Sequence, residues 1–156
     1  MGRLFEQVKL ITFDADDTLW DFAKMLRRGT EAVAEAIARD HPEYAHLSTE
    51  AIIQVQEDAL RRADPQTIDF YNMRLEAFTG MLHDCGHPTA AEYAHILLEA
   101  YLLARDSQYD FWPDTLSTLD ALRGRFRLGY ITNGTTHPDK VKLSDYFDVV
   151  VTPDTL

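Results

Sequence analysis

The apolar positions of this chain change period as the sequence proceeds. Residues 7–13, ending Val8-Lys9-Leu10-Ile11-Thr12-Phe13, are apolar and β-branched and read as a buried strand. From about Phe22 to Asp40 the spacing becomes three and four, with Met25, Leu26, Val33 and Ile37 on one stripe, which predicts a helix. His41-Pro42 ends it, because the residue before a proline is driven out of the helical region. Ser48 reads as the N-cap of a second helix that presents Ala51, Ile52, Val55, Ala59 and Leu60 on one face and breaks at Asp64-Pro65. A third helix is expected over about 67–84, apolar at Phe70, Tyr71, Leu75, Phe78 and Leu82, and broken by Gly86-His87-Pro88. A fourth covers about 89–105 with Tyr93, Ile96, Leu97, Tyr101 and Leu102 inward. Past Trp112-Pro113, helix and strand alternate. A short helix over 114–122 has Leu116, Leu119 and Leu122 inward, a strand covers 126–131, a second short helix 138–143, and a β-branched strand 147–151.

A strand–helix–strand crossover needs roughly 30 residues. Far more separates the strand ending at Phe13 from the one beginning near Phe126, and the surplus is the four helices. The economical reading is a parallel α/β core from residues 1–20 and 106–156, with an all-helical cap, residues 21–105, inserted after the first strand. An insertion at the carboxyl end of a strand sits over the ligand crevice of such a sheet, so the cap is expected to act as a lid.

Composition narrows the function. The chain has 156 residues, 46% of them hydrophobic, enough for one sizeable core or a small core with an added lobe. Its 26 acidic and 15 basic residues give a formal charge of −11, which argues against nucleic acid as a partner. No stretch has the length and apolarity of a membrane span, no signal peptide is evident, and the single Cys85 excludes an internal disulfide framework; a cytoplasmic location is expected.

The chemistry concentrates at the end of the first strand, in Asp14-Ala15-Asp16-Asp17-Thr18-Leu19. Asp14 can attack a phosphoryl group in line. In extended chain Asp16, two residues on, projects to the same side; it can protonate a leaving oxygen and then deprotonate water. The two carboxylates repel, titrate jointly, and invite a Mg²⁺ ion, as does the approach of an anionic substrate to an acidic mouth. Thr18 can stabilise the turn. The plainer reading makes Asp14, Asp16 and Asp17 turn and cap residues. At the end of the second strand, Leu128-Gly129-Tyr130-Ile131-Thr132-Asn133-Gly134 offers a hydroxyl and backbone N–H groups to a phosphate. The alternative there is an Asn-Gly hairpin turn; Thr135-Thr136-His137-Pro138, leading toward a helix, argues against it.

Together these residues resemble the haloacid dehalogenase superfamily of phosphohydrolases. Asp14-Ala15-Asp16-Asp17-Thr18 matches its first motif, Asp-x-Asp-x-Thr, and Thr132-Asn133-Gly134 its second; Phe111-Trp112-Pro113-Asp114-Thr115-Leu116 resembles the aromatic-Pro entry to the helix before the second motif. The resemblance implies a Rossmann-like parallel sheet, incomplete in this chain, with a helical cap. It implies Asp14 as nucleophile and Asp16 as acid/base. Mg²⁺ would sit on the Asp14 side chain and the Asp16 carbonyl. Phosphate would be bound by Thr132, Asn133, Gly134 and Thr18, and the substrate would be a small phosphorylated metabolite. The dehalogenases that name the superfamily lack an aspartate at the position of Asp16, so an acid there points to phosphate monoesters. The family pattern continues with a Lys-Pro segment and a Gly-Asp segment that Lys140 and Lys142 do not match. The chain therefore reads as shortened, weakened in activity, and open to self-association through the edge of its first strand. A non-catalytic remnant and a receiver domain are the alternative classes. His83 and His87, split by Gly86 and Pro88 from a common helix, are set aside as a metal pair, as are His95, His137 and Cys85.

Overall fold

Three parallel strands and five α-helices make up the regular structure in a computed structural model, which describes residues 8–64, 67–134 and 136–155. In chain order these are β1 (Leu10–Phe13), α1 (Phe22–Asp40), α2 (Thr49–Arg62), α3 (Phe70–Asp84), α4 (Ala90–Arg105), α5 (Thr115–Leu122), β2 (Arg127–Ile131) and β3 (Val149–Val151). The chain divides into two compact units, residues 1–23 with 109–156 and residues 24–108.

The first unit holds the sheet, in the order β1-β2-β3. Leu10 is in register with Arg127 and Phe13 with Tyr130; Gly129 is in register with Val149 and Ile131 with Val151. All three strands therefore end at one side, and the loops after Phe13, Ile131 and Val151 gather there. That is where ligands bind in open parallel sheets. The parallel pairing of β2 with β3 removes the Asn-Gly hairpin reading. Tyr130 and Leu128 are buried on β2, and Leu119 of α5 is fully buried.

The second unit has a core of its own. Val33 and Ile37 of α1, Ile52 of α2, Phe78, Met81 and Leu82 of α3, and Tyr93, Leu97, Leu98 and Tyr101 of α4 form one buried cluster. Each such side chain contributes about 1.5–3 kcal/mol by leaving water. Ser48 caps α2, its Oγ accepting the Ala51 N–H at 3.3 Å. The start of α3 is fixed by Asp69, whose Oδ1 accepts the N–H groups of Tyr71 (2.9 Å) and Asn72 (3.1 Å), so the helix begins three residues after Thr67.

Several inward assignments are corrected. Leu60, Phe70, Tyr71, Ile96 and Leu116 are exposed. Tyr71 and Ile96 each neighbour a stripe residue in sequence, and consecutive residues on a helix point about 100° apart; on α2 only Ile52 is buried. The expected helix over 138–143 is instead a run of turns. Lys140, Val141 and Lys142 donate to carbonyls three residues back, and Lys142 takes φ 59°, which stops propagation.

Candidate active site at the carboxyl end of the sheet

The chain bends at Ala15 directly after β1. Ala15, Leu19 and Trp20 are buried and anchor the loop from beneath, while the Thr18 and Leu19 N–H groups both donate to the Ala15 carbonyl, at 3.2 and 2.8 Å. The segment before α5 ties the loop down. Thr115 Oγ1 donates to the Leu19 carbonyl at 2.7 Å, the Trp112 indole to the Asp17 carbonyl at 3.3 Å, and the Asp21 N–H to the Asp110 carbonyl at 2.9 Å.

The three aspartates have different surroundings. Asp17, at φ 59°, accepts the Phe22 N–H at 3.1 Å and supplies a first-turn acceptor for α1. The cap reading therefore fits Asp17. Asp16 is half-buried, and its Oδ1 accepts the Trp20 indole N–H at 2.9 Å. Trp20 is fully buried, edge-on to Tyr109 (5.2 Å between centroids) and Phe111 (6.0 Å), so the donor has little freedom to move. The other oxygen, Oδ2, lies over Gly134: a Cβ at residue 134 would stand 2.9 Å from it and 3.2 Å from Thr132 Oγ1. The Asp16 carboxylate and the Thr132 hydroxyl thus both border the space a side chain at residue 134 would take, and glycine leaves that space open. Because the chain bends at Ala15, this placement comes from the Trp20 bond rather than from the extended i, i+2 geometry expected.

Thr132 is buried at the end of β2. Its N–H extends the ladder to the Val151 carbonyl at 3.0 Å, and its Oγ1 accepts the Gly134 N–H at 2.9 Å. The hydroxyl hydrogen is thereby left as a donor for an incoming acceptor. The expected cradle of N–H groups is narrower than foreseen, since the N–H groups of Thr132 and Gly134 are both engaged internally. Asn133 and Thr18 are exposed, with no side-chain hydrogen bond among the described residues.

Asp14 is exposed just past β1. Tyr130, in register with Phe13, reports on both acids. Burial first, then Asp16, Tyr109 and Asp14, push its hydroxyl well above the usual phenol range. Both carboxylates thus lie within electrostatic reach of one buried phenol, which donates to the Thr136 carbonyl at 2.6 Å. Sequence reasoning left Trp20 open between lining the entrance and packing the hinge, and assigned Tyr130 no part here. An indole four residues after an acidic motif residue was the available signal for the first; nothing in the sequence marked the second.

Among the described residues, no group of three or more His, Cys, Asp or Glu is arranged to hold a metal ion. His83 is exposed, whereas His87 is buried against Tyr93, its Nε2 3.3 Å from His41 Nε2, so the two do not form a pair. His95 is exposed, His137 lies 2.9 Å from Asp139, and Cys85 is a free thiol.

The family described as haloacid dehalogenase-like hydrolase matches residues 8–156. A 5-amino-6-(5-phospho-D-ribitylamino)uracil phosphatase of Escherichia coli (strain K12) is 28% identical over 152 residues, covering 96% of this chain and 63% of the relative. A 2-haloacid dehalogenase from Pseudomonas syringae pv. Tomato DC3000 is 28% identical with a TM-score of 0.66, covering 94% of this chain and 64% of the other. A HAD-hydrolase from Bacillus subtilis, in a crystal form bound to magnesium, has the same fold at 16% identity and TM-score 0.67, covering 94% and 64%. The chain thus spans somewhat under two thirds of the length of these relatives.

Proposed function

The chain belongs to the haloacid dehalogenase-like hydrolase family, and we propose that its core unit hydrolyses phosphate monoesters of small metabolites through Asp14. The observation that carries this reading is that the Asp16 carboxylate and the Thr132 hydroxyl both border the open space at Gly134, beside the end of β1 where Asp14 emerges. In the proposed reaction an Asp14 carboxylate oxygen attacks phosphorus as the ester P–O bond breaks. Asp16 gives its proton to the departing alkoxide. The aspartyl-phosphate is then opened by a water whose proton Asp16 takes, which regenerates both acids. Thr132 donates its hydroxyl hydrogen to a phosphoryl oxygen. Asn133, Gly134 and Thr18 complete the phosphate-binding loops, and residues 21–105 act as a cap.

The donors present suit Mg²⁺. Asp14 and the Asp16 carbonyl offer hard oxygen ligands, and two carboxylates near one phenol make the mouth locally negative. A bound Mg²⁺ would offset charge on the phosphoryl oxygens. With two residues contributing, waters would fill most of its coordination shell.

Both relatives at 28% identity inform the choice of substrate: one is a phosphatase, the other a 2-haloacid dehalogenase. Asp16 favours the phosphatase, since displacing a halide from carbon needs no protonated leaving group whereas expelling an alkoxide does. The test is phosphate release from an aryl phosphate with Mg²⁺, beside chloride release from 2-chloropropionate. Phosphate release that Asp14→Asn abolishes supports the reading. Chloride release alone would replace it with dehalogenation, and neither product would favour a non-catalytic binding protein.

A further inference from the structure

The three parallel strands begin at the end of the sheet away from Asp14 and Thr132, and positive charge collects there. Lys9 precedes β1, Arg127 opens β2, and the turn between α5 and β2 carries Arg123 and Arg125. All four are exposed, and they line one open groove of about 680 Å³ together with residues 145–148, which lead into β3. They are four of the 15 basic residues of a chain whose formal charge is −11, so the groove runs against the charge of the whole.

The backbone holds this arrangement in place. The Leu122 carbonyl accepts the N–H groups of Arg125 at 3.0 Å and Phe126 at 3.1 Å, and Gly124 turns the chain at φ 83°, a conformation that favours glycine. Each arginine of the turn rests on its own ring. The Arg123 guanidinium lies 5.3 Å from the Tyr146 ring centroid, and that of Arg125 lies 5.5 Å from the Phe126 centroid. Tyr146 is tethered in turn, its hydroxyl donating to Asp120 Oδ1 at 2.9 Å. A ring face steadies a guanidinium without occupying its N–H donors. Among the described residues, none of the four cations forms an ion pair or donates a side-chain hydrogen bond. Two carboxylates share the groove, Asp145 and Asp148, and Asp148 Oδ2 accepts the Leu128 N–H at 2.9 Å. Four cations against two carboxylates leave a surplus of two positive charges in the groove.

We propose that this groove binds the phosphate group of a small molecule, at a site separate from the candidate active site. Arginine and lysine side chains carry donors only, so their complement must supply acceptors. A phosphate group brings about −1.5 to −2 charges at neutral pH, which matches the surplus, and three oxygens for the forked donors of Arg123, Arg125 and Arg127. A lone carboxylate would leave part of that charge unmet. The volume falls within the roughly 300–1,000 Å³ of small-molecule sites, and Phe126 and Tyr146 offer apolar surface to whatever carries the phosphate. The groove lies wholly in the unit of residues 1–23 and 109–156, and it does not rest on the phosphatase reading.

The full chain carrying Asp14→Asn, so that no ester is turned over, is titrated calorimetrically in low-salt buffer free of Mg²⁺. The probes are inorganic phosphate, phenyl phosphate and acetate. Saturable phosphate binding is expected, roughly tenfold or more tighter than that of acetate. Tighter binding of phenyl phosphate than of inorganic phosphate identifies an organic phosphate that uses the two rings, and equal binding identifies the free anion. Adding Arg125→Gln or Arg127→Gln should weaken the affinity roughly tenfold, since each deletes one charged donor from an exposed position. Thermal unfolding of these variants checks that the fold is kept. Adding Thr132→Ala, at the other end of the sheet, should leave this binding unchanged. In nitrogen-15 NMR spectra the Gly124 amide should shift with phosphate at the calorimetric affinity. No saturable binding, equal binding of acetate, or full binding in the doubly substituted Arg125→Gln, Arg127→Gln chain would each overturn the assignment. Binding lost with Thr132→Ala alone would also overturn it while leaving the phosphatase reading intact.

Discussion

The bond from Trp20 to Asp16 shows how much a single residue can decide. A charge-assisted hydrogen bond from a donor that is already immobile contributes about 1.5–3 kcal/mol, a factor of roughly 10–100 in an equilibrium or a rate. It also orients Asp16 so that the second oxygen faces Thr132 over Gly134. Trp20→Phe keeps most of the ring packing against Tyr109 and Phe111 and deletes the donor. On the proposed mechanism, kcat for an aryl phosphate should fall roughly tenfold or more with little change in KM, since the lost bond would aim the proton donor and not hold the substrate. Steady-state kinetics on the variant checks this, and an unchanged kcat would remove Trp20 from the account. Three aspartates at positions 14, 16 and 17 look alike in sequence. What separates them is the left-handed φ of Asp17, which turns that side chain onto the start of α1, and the indole that captures Asp16. Both depend on where the backbone turns, and the residue types do not specify that.

Elements were legible where the apolar period was long. α1 runs over the span read from its stripe, and α2 starts after the serine read as its cap. The turns over 138–143 were misread because Val141 and Leu143 are buried, so the periodicity is real, while a segment that short cannot offset helix nucleation and ends at the positive φ of Lys142. The link between α1 and α4 gives a prediction at this scale. The Tyr93 hydroxyl, on α4, lies 3.2 Å from both the Ala36 carbonyl and Asp40 Oδ2 of α1. Burial, then the Asp40 charge, push its ionisation up to about 12. The native state thus keeps a proton that the unfolded chain releases near pH ~10. This contribution is complete below that point and is lost as pH rises toward about 12. Urea unfolding between about pH 9 and about pH 11 should show stability falling, and Tyr93→Phe should be less stable at neutral pH with a shallower decline across the window. An equally steep decline in the variant would contradict the assigned link.

At the scale of the molecule, two features stand apart from the site. Each unit has its own buried residues, so each can be perturbed by substitutions in its own core. The sheet also begins at β1, which among the described residues pairs with β2 alone; Leu10 on it and Val8 just before it are exposed. An apolar strand edge favours pairing with another chain, while the formal charge of −11 opposes it over the range of the Debye length. We therefore expect this chain to associate more as salt is raised, and Leu10→Lys to suppress that association. Sedimentation velocity at low and high NaCl measures both, and a monomer at every salt concentration would show that the edge is protected.

The sequence by itself determined the family, the α/β class and the run of helices between β1 and β2, and it placed Asp14, Asp16 and Thr132 just past the ends of β1 and β2. These follow from local order along the chain: the period of apolar residues, the caps and breakers, and short motifs whose members are neighbours in sequence. The tertiary structure decided what depends on approach between distant segments. It set the strand order that, among the described residues, leaves β1 paired with β2 alone, the closeness of Gly134 to Asp16, the reach of both carboxylates to Tyr130, and the packing of Arg74 over the Tyr101 ring. Those distances come from packing two surfaces together, and no pattern read along one strand or helix fixes how closely another will come to it.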